Sequence, residues 1–267
     1  MKISSTRSLA KALSISVRAV AALLGRSKAL KVLGHVRYLL IAQQRVNIGG
    51  HMVQLAVLDR RGAYWAQDGS SSEPETQRWI ESFAANDVLY DVGANIGLYS
   101  LYAATARQCR CVALEPNPFS FDGLVRNTLL NGLEDKITAL CLALGDERGL
   151  FGLGMVSDQS GAVGSTLAQL GDGRTQVMTM VTRLDNLVEL NNIPFPNHIK
   201  IDVDGIEDLV LAGGKAVLSD NRVKSVLLEV CDRTPEQVDA LRLGMEACGL
   251  FRSAKDSSNT NWIFRRA

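Results

Sequence analysis

The sequence predicts an α/β fold: a doubly wound, mostly parallel sheet with an antiparallel last strand and an N-terminal helical extension. Three observations predict it. Beyond residue 84, short apolar runs alternate with segments of helical periodicity, the pattern of a parallel sheet covered by helices on both faces. Apolar content of 46% against 21% charge is enough for a full core in 267 residues. The last two apolar runs, 250–254 and 261–265, are joined by "KDSSN", a hairpin-type loop that makes the final strand antiparallel.

Taken in order, the first 45 residues read as helix, "LAKALSISVRAVAALLG" and then "SKALKVLGHVRYLLIAQQR". In the second stretch Leu30, Leu33, Val36, Leu40 and Ile41 recur at helical spacing, with Lys28, Lys31 and Arg37 mostly elsewhere around the axis. Residues 1–58 hold nine Lys/Arg and no Asp or Glu, which leaves 20 basic against 28 acidic residues in the rest. The chain is a basic head on an acidic body. Residues 1–50 are therefore set apart as a basic helical extension from a domain at 51–267. An amphipathic helix of this kind packs on the body; the sharper alternative is peripheral contact with an anionic membrane surface or an acidic partner. No stretch reaches the ~18 apolar residues of a membrane span, and no secretory leader is clear. The expected location is cytoplasmic, membrane-peripheral if the head touches lipid.

Residues 51–68 read as short strands with a turn at Arg61-Gly62, "GSSSEP" as loop, and 73–84 as a helix with Ser72 as N-cap and Pro74 in its first turn. Strand 88–92 leads to helix 97–107, strand 110–114 to helix 118–131, and strand 137–143 to a Gly-rich interval, 149–173, long enough for a substrate-facing flap. Strand 176–182, helix 184–190, strand 198–203, helix 206–218, strand 224–230 and helix 235–248 follow. Five cysteines without a Cys-x-x-Cys pair, and only three histidines, argue for reduced thiols and against a zinc site. A net charge of +1 and 6% aromatics give neither the field nor the stacking platform of a nucleic-acid binder.

The chemistry concentrates at strand ends. "DVGANIG" (91–97) is a strand-to-helix turn in which Gly93 and Gly97 allow a tight bend and close backbone approach. It lacks the second glycine of the dinucleotide pattern G-x-G-x-x-G, and no Gly-Lys-Ser/Thr follows. Asp91 would repel a pyrophosphate and suits a ligand bearing an ammonium, such as the amino-acid moiety of S-adenosylmethionine. Glu115 ends the second strand, 24 residues on, where an acid can accept both hydroxyls of a ribose. In "HIKIDVDGIE", Lys200, Asp202 and Asp204 share one strand face if the strand persists. That places Asp202 near a transferable group at the crevice, with Lys200 as an ion-pair partner. Clustered carboxylates also favour one raised pKa and a general base. Glu229 is a further strand-end acid at the pocket mouth.

"DVGANIGLYSL", "LEPNPFSFDGLVRNTLLNGL", "RLDNLV" and "HIKIDVDGIEDLVLAGGKAVL" together resemble the FkbM-type S-adenosylmethionine-dependent methyltransferases, in order and spacing, from about Glu73 to Glu229. The resemblance implies the seven-stranded Rossmann-like sheet of class I methyltransferases and S-adenosyl-L-methionine as cofactor. It also implies a cofactor site of Asp91, Gly93, Ala94, Asn95 and Gly97, with Glu115 on the ribose, Asn117 beside it, Ala143 and Asp146 of "CLALGD" about the adenine, and Asp202. Where the family often has Asp-x-Glu-Gly, Asp204 replaces the Glu. O-methylation of a sugar, glycan or natural-product hydroxyl is the implied reaction, with Asp202, Asp204, Glu229 and Lys200 as the catalytic set. The "NPPY"-type turn of amino-methylating enzymes acting on bases is replaced by "DVDG", which favours an oxygen acceptor. A divalent cation on the acidic pair is the less favoured course, since no third ligand is clear. The rival readings are a nicotinamide oxidoreductase, opposed by Asp91 and the missing glycine, and a non-catalytic nucleoside-binding module.

Overall fold

The computed structural model describes residues 3–67, 73–155, 158–161, 166–168, 175–231 and 233–267. They fall into two units, Met1–Ala42 and Gln43–Ala267.

In the first unit, α1 (Ile3–Ala22) and α2 (Arg26–Leu39) pack against each other. They are separated at Gly25, whose φ of 78° is a left-handed conformation that suits glycine. Ala21 is buried and Val32, Leu33 and Val36 are half-buried, but most of the leucines are exposed.

The second unit opens on a hairpin of β1 (Ala42–Ile48) and β2 (His51–Val57). It turns through Gly49 and Gly50 at φ 53° and 86°, the paired positive φ of a two-residue hairpin loop. The helix expected through residue 45 therefore ends at Leu39. Val46 and Ile48, then Val53 and Leu55, are buried at the two-residue period of a strand. The turn expected at Arg61-Gly62 is instead the start of α3 (Arg60–Gln67). Asp59 decides this, because its Oδ1 accepts the amides of Arg61 (2.9 Å) and Gly62 (3.0 Å) and so caps the helix. In α4 (Pro74–Glu81) the N-cap position is Glu73; Ser72, the expected cap, lies outside the described residues.

The alternation then runs β3 (Val88–Val92), α5 (Leu98–Arg107), β4 (Arg110–Leu114), α6 (Pro118–Leu130) and β5 (Ile137–Leu140). After it come β6 (Ala143–Leu144), β7 (Gly149–Gly154), β8 (Thr166–Ala168) and β9 (Thr175–Thr182). These four form a separate sheet in the order β6-β9-β7-β8. Two expectations change here. The strand at 176–182 leaves the main sheet, and part of the Gly-rich interval is ordered strand; residues 156–157, 162–165 and 169–174 of that expected flap lie outside the described residues. The chain continues through α7 (Leu184–Leu187), β10 (His198–Ile201), α8 (Glu207–Gly213), α9 (Lys215–Ser219), β11 (Ser225–Glu229), α10 (Pro235–Ala247), β12 (Leu250–Arg252) and β13 (Asn261–Arg266). The single helix expected at 206–218 breaks at Gly213-Gly214, where a Cβ on Gly213 would lie 1.9 Å from the Gly145 carbonyl oxygen.

The main sheet has seven strands in the order β12-β13-β11-β10-β3-β4-β5. All neighbours are parallel except β13, which runs antiparallel between β11 and β12. Side chains alternate across it: Leu89, Cys111 and Ala113 join the core under α4, α5 and α6, while Tyr90, Val112 and Ile199 join the core under α7 to α10. All five cysteines are free. From β3 the chain builds outward through β4 and β5, and from β10 in the other direction, so the order reverses between β3 and β10. The carboxyl ends of these two strands flank the crevice where open α/β sheets bind ligands. No described helix is long and apolar enough to cross a membrane.

Candidate active site

A cavity of about 400 Å³ opens at that crevice, within the range of small-molecule sites. Its floor is the turn after β3. Gly93, at φ 82°, and Ala94 both donate their amides to the Leu114 carbonyl, at 3.0 and 2.9 Å, which ties the turn to the end of β4. A Cβ on Gly93 would lie 1.8 Å from the Asp202 carbonyl oxygen, so the turns after β3 and β10 touch backbone to backbone. Gly97 (φ 83°) closes the turn as the N-cap residue of α5.

Glu115 is held by this turn. Its Oε2 accepts the Asn95 amide and its Oε1 the Asn117 amide, both at 2.8 Å, which fixes the carboxylate plane at the cavity wall. Burial pushes its carboxyl up to about 7. Asn117 spends its side chain on capping α6, where Oδ1 accepts the Phe119 amide.

Asp91 sits behind the floor, 1% exposed, and does not line the cavity. Its Oδ2 accepts the Ser100 hydroxyl (2.7 Å), while Oδ1 has no protein partner. An unpaired buried carboxylate oxygen is costly unless a donor meets it. The β3–β10 register pairs Asp91 directly with Lys200. Burial raises the Asp91 carboxyl, with Lys200 opposing.

Lys200 is itself 2% exposed, ion-paired to Asp202 Oδ2 and lying 5.3 Å from the Tyr99 ring centroid. Against the cost of burial, Asp202, Asp91 and Glu73 hold its ammonium above its usual range. Asp202 has a second partner, the Glu229 carboxyl at the end of β11. The two acids titrate apart: although burial alone would raise both, the Lys200 ammonium holds Asp202 below the ordinary carboxylate range. Burial, and then the Asp202 charge, pushes Glu229 up to about 8. The Cys231 thiol hydrogen-bonds Glu229 from the next loop. The pair thus sets an acid kept ionised beside one whose carboxyl is raised, the arrangement that yields a base of useful strength.

Of the residues anticipated from the sequence, Gly93, Ala94, Asn95, Glu115, Ala143, Lys200, Asp202, Asp204 and Glu229 line the cavity together. Asp91, Gly97 and Asn117 stand behind it and shape it. Asp146 is exposed and outside it; its carbonyl accepts Arg183 Nη1 at 2.7 Å. The shared strand face expected for Lys200, Asp202 and Asp204 holds for neither acid, because β10 ends at Ile201. Asp204 and Gly205 are left-handed, at φ 51° and 109°, and turn the chain so that Asp204 reaches the cavity from a loop.

Trp65, Glu73, Tyr99 and Cys231 line the cavity without having been anticipated. Tyr99 follows the turn directly on the first coil of α5, which was a usable signal, and its phenol hydrogen-bonds Glu73. Trp65 Nε1 donates to the Gly161 carbonyl at 2.9 Å. Asp59 Oδ2 also accepts the Ser160 amide (2.6 Å), so the described residues 158–161 are strapped over α3. Among the described residues the cavity lining carries five acids (Glu73, Glu115, Asp202, Asp204, Glu229) and one base, Lys200. No group of three His, Cys, Asp or Glu among the described residues is arranged to hold a metal ion.

The profile described as "Methyltransferase FkbM domain" matches residues 91–250. A hexuronic acid methyltransferase, AglP of Haloferax volcanii, is 29% identical over 201 residues, covering 74% of this chain and 76% of AglP. The 31-O-demethyl-FK506 methyltransferase FkbM of Streptomyces tacrolimicus is 29% identical over 174 residues, covering 55% of this chain and 66% of that protein. Among solved structures, the methyltransferase FkbM from Methylobacillus flagellatus superposes with a TM-score of 0.48 at 15% identity, over 77% of this chain and 62% of the other. The matches to the last two thus span just under two thirds of those proteins.

Proposed function

Since the chain belongs to the FkbM methyltransferase family, we propose that its cavity binds S-adenosyl-L-methionine and methylates a hydroxyl oxygen on a sugar, glycan or natural-product acceptor. The observation that carries this is the acidic crevice at the switch point, where the Asp202 and Glu229 carboxyls are hydrogen-bonded to each other. The chain's residues fit the cofactor. Five lining acids suit a ligand with a sulfonium and an ammonium, and Glu115 presents a carboxylate already oriented by two amides for a pair of ribose hydroxyls. Behind the cavity floor, near the end of β3, Asp91 keeps an unshared buried oxygen. When bound, this cofactor supplies an electrophilic methyl group.

The residues do the rest. In-line displacement gains most from holding donor and acceptor collinear. Here the turns of Gly93 and Asp202 are in backbone contact, so the donor side and the base side have one frame. Glu229 in its ionised form takes the acceptor hydroxyl proton as the oxygen gains the methyl. Asp202 is kept ionised by Lys200 and raises the basicity of Glu229, and Tyr99 and Glu73 line the acceptor side. Lys200 acts through Asp202 as a positioning residue.

The excess of acid also favours an uncharged or cationic acceptor over a carboxylate-bearing one. FkbM, named for an O-demethylated position, supports an oxygen acceptor, and AglP, named for hexuronic acid, supports a sugar and is the exception to this charge preference. Calorimetry with S-adenosylmethionine and with NAD tests the cofactor, and tight NAD binding without S-adenosylmethionine binding would overturn the reading. Release of S-adenosylhomocysteine over a panel of glycosides, amino sugars, uronic acids and hydroxylated natural products tests the acceptor.

A further inference from the structure

The helices of the first unit expose apolar side chains that no described contact covers. On α1, Leu9, Leu13 and Val20 are 70%, 59% and 63% exposed, and Leu23 and Leu24 continue the stripe into the turn, Leu23 at 86%. At 3.6 residues per turn these five fall on one side of the helix, while Lys11 and Arg18, seven residues apart, fall on the other. On α2, Leu30, Tyr38 and Leu39 are exposed among Arg26, Lys28, Lys31 and Arg37. Among the described residues none of these six cations makes an ion pair. No acid occurs before Asp59.

We propose that this unit is a docking surface for an anionic lipid bilayer, which its exposed leucines enter shallowly and its lysines and arginines hold by charge. The combination of an apolar stripe with an acid-free basic complement is what lipid interfaces select. Neither helix is long and apolar enough to span, so the contact lies in the plane of the surface. Charge also argues against the other occupants. Two copies pairing stripe to stripe would bring together two acid-free basic units with nothing to offset them. The acidic second unit of another copy would attract the charges. However, its exposed large apolar residues are a group of three on the paired strands β7 and β9, Leu150, Met178 and Met180, and singles such as Phe119 and Phe251, a smaller patch than the five-residue stripe of the first unit. The proposal does not depend on the methyltransferase reading.

The test is flotation of the full chain with vesicles of phosphatidylcholine, alone or mixed with phosphatidylglycerol. Salt is set at about 0.1 M and about 1 M, where the screening length falls from ~10 Å to ~3 Å. The bound-to-free ratio is expected to be at least about tenfold higher on the anionic vesicles at low salt and to collapse at high salt. Two variants separate the parts: Leu9→Ser with Leu13→Ser and Val20→Ser, and Lys28→Gln with Lys31→Gln and Arg37→Gln. Both should lose binding while keeping wild-type helix content by circular dichroism and the wild-type midpoint of urea unfolding. Three results overturn the proposal: no binding to anionic vesicles, equal binding to neutral ones, or full binding by both variants. Concentration-dependent self-association that the leucine variant abolishes, in place of vesicle binding, assigns the stripe to a second copy and also overturns it.

Discussion

If Glu229 is the base, the rate should depend on its proton. With its carboxyl at about 8, Glu229 is about half ionised at pH 8, about a tenth at pH 7 and about 1% at pH 6. Below about pH 8, kcat/KM, which reports the free enzyme, should therefore fall close to tenfold per unit. Asp202→Asn removes the neighbouring negative charge and the hydrogen bond that hold Glu229 up, so the limb should move to lower pH while a lower maximal rate remains. Glu229→Gln cannot accept the proton and should lose about 10²–10⁴-fold in turnover at every pH. The assay is S-adenosylhomocysteine release with the best acceptor, from about pH 6 to about pH 9. The reasoning fails if wild-type kcat/KM is flat over that range, or if Glu229→Gln turns over like wild type while binding cofactor normally.

At about pH 8, where a carboxyl at about 7 is mostly ionised, Glu115→Gln should weaken S-adenosylhomocysteine by ~1–3 kcal/mol in calorimetry, since one oriented charged acceptor becomes a neutral amide; unchanged affinity would remove Glu115 from the cofactor site. Gly93→Ala forces a Cβ to within 1.8 Å of the Asp202 carbonyl at a left-handed φ. It should cost about 1–3 kcal/mol in urea unfolding and abolish cofactor binding; wild-type stability and affinity together would show that the two turns are not in contact. Burial holds His198 at about 4 against its ordinary 6.5, beside Asp87 (3.0 Å) and Ser225 (2.7 Å). The unfolded chain then binds the extra proton between those values. Stability from this group is complete above about pH 6.5 and lost as pH falls toward 4, about 2 kcal/mol by pH 5. Urea melts at both pH values should show that loss in wild type and a shallower dependence in His198→Asn, and equal slopes would refute the assignment.

Much of the second unit was legible because its signals are local. The alternation of β3, α5, β4 and α6 follows from the apolar period, and the antiparallel β13 from the loop before it. What escaped depended on distant partners. Nothing local in "ALGDERGLFGLG" says that β7 pairs with β9 in a second sheet rather than joining the first. Arg61-Gly62 read as a turn because the decisive group is the Asp59 side chain, which caps α3 with one oxygen and straps Ser160 with the other. In the candidate site, the glycines and strand-end acids of one turn were visible as spacing. Glu73 and Trp65 were not, since each reaches the cavity from an element with no motif of its own. Strand alternation puts Asp204 on the cavity wall, but the chain brings it there by a different route, through two left-handed residues that turn it after β10.

The contact between Gly93 and the Asp202 carbonyl also says where this scaffold can vary. A wall made of touching backbones has no side chain to trim, so on the proposed reading substitution cannot widen the gap between the turn after β3 and the Asp202–Glu229 pair without moving a strand. Changes in acceptor range, in natural descendants or in redesign, have to be made around the rim, at Trp65, Glu73, Tyr99 and the loop of Asp204. If the proposed roles hold, a library confined to those positions would sample new acceptors while leaving the distance between the Gly93 turn and Glu229 as a constant of the fold.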